Sequence, residues 1–474
     1  ANGAWLSFPG SSAITVGGVA LTIDTTLATA YAKYTAVVSL TAGLISINFP
    51  GNTFDGGPNN ILIDDVSLCL ILRLGRCDAN DLAKTLPAGA PSNANSVANA
   101  IDTYSRSVNT LPPGFDLLFD LTGASLSNAL QQLAGEAGAS GSQQSGTQLT
   151  NSFLSLLLNG FFSNRDTFGG FGPAANGYAT EKRVTSEAAS AYAALDRAAG
   201  HRSPSDRHWN IWGSAYGGHA LARGGAKGND TRANGYGFAT GLDYRIAADS
   251  MVGFALAGGQ TSWNIANSLG GGKADVFQSG VYGSRQFGSS YVSAAASYAW
   301  FNASTDRTVT VFGTDNLIAG FKAHNIAGRI EAGHRYMTPS LFGITPYAAA
   351  QMQAFYLPSY SESAASGSNQ FALSYAARTS STTRGELGVW LDVVRRIGSN
   401  DVKLFSRLAW AHDWHSNPTT TASFQTLPGA GFTLNGAASP KDLALVTTGA
   451  EFKLTQAVVF SAKLDGEFAA GLQS

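Results

Sequence analysis

The stretch from Asn234 to Ile246 constrains the fold of this chain more than any other. Its even positions are Tyr236, Phe238, Thr240, Leu242, Tyr244 and Ile246, and its odd positions are Gly235, Gly237, Ala239, Gly241, Asp243 and Arg245. Successive side chains of a β-strand point to opposite faces, so one face of this strand is large and apolar and the other small or charged. Such a strand suits a wall between hydrocarbon and an aqueous hollow, as in a transmembrane β-barrel.

A single alternating strand would also fit a half-buried antiparallel sheet, so recurrence decides. Ile326, Ile330, Ala332 and Tyr336 alternate with Arg329, Glu331 and Arg335, and Leu387, Val389, Leu391 and Val393 alternate with Glu386, Gly388, Trp390 and Asp392. Val402, Leu404, Leu408 and Trp410 alternate with Lys403, Arg407 and Asp413, and Val446, Ala450, Phe452 and Leu454 with Gly449, Glu451 and Lys453. Val458, Phe460, Ala462, Leu464 and Phe468 do so with Ser461, Lys463, Asp465 and Glu467. The charge stays on one side. Small residues mixed with both signs of charge suit a narrow lumen better than the solvated face of a sandwich.

A net charge of -1 points to neither a nucleic-acid partner nor an acidic tail. No run of about 18 apolar residues is present, so a helical membrane span is excluded. Because the chain opens at Ala1 without a charged-plus-apolar leader, any secretion signal is expected to be upstream or removed. Cys69 and Cys77 are either a small disulfide loop or two free thiols.

Short turns near Ala247 to Ser250, Phe287 to Ser290, Thr338 to Gly343, Ile397 to Asp401 and Thr455 to Ala457 alternate with longer connections. The longer ones are Gly218 to Asn234, Asn267 to Lys273, Thr305 to Gly320, Leu357 to Leu373 and His415 to Lys441. Short periplasmic turns and long external loops are the asymmetry of outer-membrane barrels. About eleven strands are expected, an odd number where bacterial single-chain barrels are even.

Upstream the texture changes. Ala174 to Ala199 is rich in Ala, carries Glu181, Lys182, Arg183, Glu187, Asp196 and Arg197, and follows Pro173, which reads as a helix. Ser125 to Gly135 and Gln148 to Phe161 read as two more helices, split by a low-complexity linker at Gly138 to Gly146. Ala13 to Ile23, Tyr34 to Leu40, Leu44 to Phe49 and Ile61 to Leu72 read as short strands. The expected organisation is a β-rich region over residues 1–80, a helical and low-complexity linker over 81–172, a lumenal plug helix over 173–206 and a barrel over 207–474.

Several strings resemble the autotransporter β-domain, the translocator of type V secretion. Trp209-Asn210-Ile211-Trp212-Gly213-Ser214-Ala215-Tyr216-Gly217-Gly218 is similar to that family's first strand. Tyr236-Gly237-Phe238-Ala239-Thr240-Gly241-Leu242-Asp243-Tyr244, Thr345-Pro346-Tyr347-Ala348-Ala349 and Ala409-Trp410-Ala411-His412-Asp413 resemble later ones. Leu133-Ala134-Gly135-Glu136-Ala137 resembles the Leu-Ser-Gly-Glu segment that precedes such barrels. The resemblance covers roughly residues 110–474. It implies an all-β, antiparallel, twelve-stranded outer-membrane barrel of a Gram-negative bacterium. A helix in its lumen would lead to an N-terminal passenger exported to the cell surface. It also implies three partners: outer-membrane lipid, the barrel-assembly machinery and the chain's own passenger. Family members end in a strand with a terminal aromatic residue; because this chain stops at Ser474, the closing strand is expected to be missing.

A barrel of that size leaks unless filled, and charge in a confined space of low dielectric constant needs a partner. The plug contacts are therefore expected between Lys182, Arg183 and Arg197 on the helix and Glu331, Glu386, Glu451, Asp465 and Glu467 on the wall.

Nucleophile elbows, His-Glu-x-x-His, Cys-x-x-Cys and phosphate loops are all absent from the sequence, so no enzyme chemistry, cofactor or metal is expected. Asn60 to Leu68 resembles the closing strand of jelly-roll carbohydrate-binding modules, which leaves Asp64 and Asp65 as either a turn pair or a calcium or glycan site. His412 and His415 read as an external strand end, and Trp209, Trp212, Trp300, Trp410 and Trp414 as an interface belt. A passive porin, or an outer-membrane hydrolase with a site at the barrel rim, are the alternatives to a translocator.

Overall fold

The computed structural model describes residues 14–16, 19–21, 47–48, 81–108, 111–139 and 141–158, and residues 209–469 apart from a few turn positions. The chain divides into two compact units, residues 1–81 with 105–110, and residues 82–104 with 111–474. The expected sites at Asp64, Asp65, Cys69 and Cys77 and the helix over Ala174 to Ala199 are outside the described residues.

In the smaller unit, Ile14–Val16 pairs antiparallel with Val19–Leu21 on one side and Ile47–Asn48 on the other. Within the expected single strand over Ala13 to Ile23, the described residues thus form two short strands paired with each other.

The larger unit is built on eleven long antiparallel strands in sequential order. They are β1 (Trp209–Ala222), β2 (Thr231–Ala247), β3 (Ser250–Ile265), β4 (Gly271–Phe287), β5 (Ser290–Val309) and β6 (Asp315–His334). They continue through β7 (Phe342–Leu357), β8 (Arg378–Ile397), β9 (Asn400–His415), β10 (Asp442–Lys453) and β11 (Val459–Ala469). Alternation sets the faces as expected: Tyr236, Phe238, Leu242, Leu404, Leu408, Val458 and Phe460 are exposed, whereas Ala239, Asp243, Glu331, Glu386 and Glu451 are buried.

Contacts between strands that are not neighbours show how strongly the sheet curls. Flat strands lie about 4.8 Å apart, so side chains several strands apart meet only on a concave face. The Trp212 indole on β1 donates to the Tyr282 hydroxyl on β4 at 2.7 Å, and Arg384 on β8 reaches Glu467 on β11 at 2.9 Å. Trp212 therefore turns inward and is not part of the interface belt, whereas Trp209, Trp410 and Trp414 are exposed as expected.

The wall extends further than the loop lengths suggest. β5 and β6 each run for 20 residues, and their pairing passes through Thr305↔Ala319 and Arg307↔Leu317, inside the stretch expected to be a loop. About 9–11 tilted residues cross a bilayer, so this hairpin projects beyond it. Its inward residues Val309, Leu317, Ala319 and Phe321 are buried, which keeps the extension paired.

At the external end, two connections supply a small antiparallel sheet in the order Tyr360–Ser361, Leu373–Tyr375, Thr419–Phe424 and Gly431–Asn435. It shares a core with helices α1 (Ser92–Ser105) and α2 (Gly123–Ala134), in which Val97, Ile101, Leu130, Phe115, Phe371 and Phe424 are fully buried. Phe115 packs edge-on against both Phe371 and Phe424, at 5.0 and 5.1 Å between ring centres. These elements form a cap on the mouth of the wall. Asp102 on α1 accepts from the Leu82 and Ala83 N–H groups at 2.9 and 3.0 Å and so satisfies the start of the one-turn helix Leu82–Thr85.

Candidate functional site

The hollow of the curled sheet holds helix α3 (Gly141–Leu158). Part of this helix falls in the stretch Gly138 to Gly146 that reads from sequence as a linker. Gly141 sits against the Trp263 indole, and a side chain at Gly146 would meet the Phe355 ring at 2.6 Å, so these glycines are required by close approach to the wall. A helix with two glycines in its first turns is weak in isolation, and burial supplies what propensity does not.

The helix seats on the half of the wall that carries small inward residues. Leu149, Phe153, Leu154 and Leu157 are buried, the latter three among Trp212, Ala239, Ala255, Ala257 and Tyr282. At Gly280 a Cβ would come within 2.6 Å of Leu157, so the wall is hollowed under the helix. Polar residues of α3 face the other half: Gln143 donates to the Ser380 hydroxyl at 2.6 Å, and Asn325 donates to the Thr150 hydroxyl at 3.1 Å. Asn151 accepts from Gln351 at 2.7 Å, and Lys463 donates to the Ser155 hydroxyl at 2.9 Å. α3 reaches both Gly218 on β1, through Gln148, and Lys463 on β11, so the helix spans the hollow between the two end strands of the curled sheet.

Helix α3 carries no charged residue, and the charge on the inner wall neutralises itself. Arg329 forms two hydrogen bonds with Glu386, at 2.6 and 2.7 Å, and a third with Glu331 at 2.9 Å; the Tyr291 hydroxyl donates to Glu331 at 2.8 Å. Arg407 lies 3.7 Å from Glu386 and 3.8 Å from Asp465, over the Trp390 ring. Asp465 also accepts from Lys463 at 2.7 Å and from Thr447 at 2.6 Å. Arg384 forks between Asp413 and Glu467, and Arg335 pairs with Asp392 at 2.6 Å. Glu451 is buried opposite Lys403 in the register.

Each expected wall carboxylate therefore faces inward, and Glu331, Glu386, Asp465 and Glu467 are paired with bases of the wall itself. Lys182, Arg183 and Arg197 are outside the described residues. The arginines at the centre of this network belonged to the same alternating positions, but their partners sit on other strands, a relation that no spacing along the chain encodes. His412 sits on the outer face beside Trp414 and pairs with Asp442 at 2.8 Å, which fits an external strand end.

Where the chain passes from cap to lumen, two devices hold it. Arg307 on β5 forms a bidentate pair with Glu362 at 2.8 and 2.7 Å and donates to the Gln132 carbonyl at 2.7 Å, while Tyr375 and Tyr360 donate to the Gly135 and Gly138 carbonyls. Glu136 accepts hydrogen bonds from Asn93 on α1 and from the backbone and side chain of Asn229 in the first external loop. Burial pushes the Glu136 carboxyl above its ordinary value of 4.5, with those donors pulling only partly the other way. A carboxyl raised in the folded state contributes stability that is full below 4.5 and is lost as pH rises through the raised value. The protection factors of the amides around Asn229, referred to the intrinsic exchange rate at each pH, should therefore be higher at acidic than at alkaline pH, and Glu136→Gln should flatten that dependence.

The sequence model of the autotransporter β-domain matches residues 211–465. An extracellular serine protease of Serratia marcescens is 24% identical over 262 residues, which are 54% of this chain and 24% of that protein. This chain spans about a quarter of the length of the curated relatives it matches. Among solved structures, the β-domain of the Bordetella autotransporter BrkA aligns with a TM-score of 0.41 at 17% identity, over 55% of this chain and 93% of that one. The translocator domain of NalP from Neisseria meningitidis aligns with a TM-score of 0.44 at 13% identity, over 60% and 92%.

Proposed function

This chain belongs to the autotransporter β-domain family, and from that premise we propose that it anchors and exports an N-terminal passenger, with α3 marking the passenger's route through the wall. The translocator is an outer-membrane protein. The observation that carries the proposal is the helix inside the hollow: its N-terminal end meets the external cap, and the chain beyond its other end goes on to β1. A segment leaving the periplasm through the wall ends in that arrangement. A passive porin would instead keep a water-filled lumen, whereas this hollow is occupied by the chain's own helix and covered by its own cap.

Residues 1–80 are assigned to the passenger, which also carries any enzymatic activity of the whole protein. The wall's charged groups are engaged in carboxylate–guanidinium pairs that stabilise a fold. Insertion is assigned to the barrel-assembly machinery, because unpaired strand edges in hydrocarbon cost several kcal/mol per polar group unless a template covers them. Lys182, Arg183 and Arg197 are proposed to approach Asp465 and Glu467, whose side chains are 38% and 46% exposed and so leave room for a further base.

An epitope placed ahead of Leu82 should be reached by antibody on intact cells. Deleting residues 209–469 should abolish that labelling while leaving the epitope detectable after lysis. Surface labelling that persists without the wall would remove the translocator reading.

A further inference from the structure

The wall carries a notch on its external half. β7 pairs with β6 as far as Tyr356↔His324, and the next partner on that edge of β6 is Ser363, opposite Ile318. Pro358 follows directly after β7 and has no N–H to continue the ladder. Among the described residues, Ala319 to Ala323 therefore have no strand partner on that side. The result is a cavity of about 430 Å³ lined by Lys322, His324, Tyr356, Pro358, Arg378 and Thr379 among others.

None of the lining residues is acidic. Lys322 is exposed on the outer face, and among the described residues no carboxylate pairs with it. His324 Nδ1 and the Tyr298 hydroxyl share a hydrogen bond at 2.6 Å and the two rings stack, so Nε2 is the ring nitrogen left for a ligand. Tyr298 and Tyr356 are exposed aromatic residues beside the notch, and Trp300 is half-buried opposite His324, the placement of an interface girdle. A lysine on a lipid-facing surface with no counter-charge is costly unless an anion comes to it.

We propose that this notch binds the phosphate of a phosphorylated lipid in the outer leaflet, with Lys322 and His324 contacting the phosphate and Tyr298 and Tyr356 packing on the lipid body. Clustered basic residues at a membrane interface recognise anionic headgroups by this chemistry, and the cavity has the size of a small-molecule site. The proposal rests on the outer-membrane placement of the wall, with the long loops outside. Its failure would leave the export reading untouched, because that is read from surface labelling.

The test is native mass spectrometry of the full chain taken from vesicles of phosphatidylethanolamine with or without a diphosphorylated glycolipid. The intact protein should retain the glycolipid, and Lys322→Gln should weaken retention about fivefold, while Lys322→Arg keeps it. A dephosphorylated glycolipid should be held no better by the intact protein than the phosphorylated one is by Lys322→Gln. Equal retention by the intact protein and Lys322→Gln, or equal retention of the dephosphorylated lipid, overturns the proposal. Full displacement by inorganic phosphate also overturns it, since that marks a small-anion site. Should Lys322→Gln not fold, a salt titration of the intact protein decides: retention must fall with ionic strength, and a flat response overturns the proposal.

Discussion

Cutting Phe153 and Leu157 back to alanine together should open an ion path through the wall. Both side chains are fully buried between α3 and the small residues of β1 to β5, and each truncation removes contacts that the rigid wall does not relax to replace. Phe→Ala costs about 3–5 kcal/mol and Leu→Ala about 2–5 kcal/mol in such settings. The polar contacts that remain, from Gln143, Thr150, Asn151 and Ser155, contribute about 1 kcal/mol each. The truncations thus remove more than those bonds return. Every ~1.4 kcal/mol is tenfold in occupancy, so even a third of the loss should raise the open time on the order of a hundredfold. Single-channel recording in planar bilayers reads this directly, with heat-modifiable migration on a gel confirming that the wall is folded. A folded variant whose conductance matches the parent would show that α3 is not what fills the hollow.

Arg329→Met should be the most damaging single substitution in the wall. It strips Glu386 of its bidentate partner and Glu331 of its base, and leaves two carboxylates buried with the Arg407 guanidinium at 3.7 Å and the Tyr291 and Tyr347 hydroxyls as weaker partners. Breaking a buried ion pair from one side costs about 3–5 kcal/mol, because the surviving charge stays desolvated. The urea midpoint of unfolding in lipid vesicles should fall accordingly. Arg329→Met combined with Glu386→Leu should recover much of the loss, since replacing both partners by apolar groups of similar volume is often close to neutral. If the single variant unfolds within about 0.5 kcal/mol of the parent, the charges are solvated and the hollow is wetter than the structure indicates.

Much of the wall was readable from the chain because a strand's side chains alternate by local geometry alone. Tyr236 and Phe238 had to share a face, and Asp243 had to take the other, whatever the rest of the molecule did. The same logic located the wall carboxylates on the inside. The Thr305 to Gly320 stretch was misread as a loop because its polarity resembles one. There the inward Val309, Leu317 and Phe321 are satisfied by the cap, which lies far away in sequence. Trp212 was misplaced for a related reason, since a tryptophan fits an interface belt and a concave wall equally well, and only the Tyr282 hydroxyl on β4 decides between them.

The amino-acid sequence by itself determined the antiparallel wall, its two faces, its outer-membrane setting and its family, because each follows from short-range periodicity or contiguous strings. Tertiary structure alone decided that α3 lies in the hollow and which charges meet across it. Helix propensity disfavours the glycine- and serine-rich start of α3. Gly141 and Gly146 are nevertheless helical, because only a missing Cβ lets backbone approach Trp263 and Phe355. The pairing of Arg329 with Glu386 and of Arg384 with Glu467 depends on how tightly the sheet curls, and curvature is a property of the assembled strands. With an uncharged helix in the hollow, the wall's acids and bases are left to neutralise one another across strands.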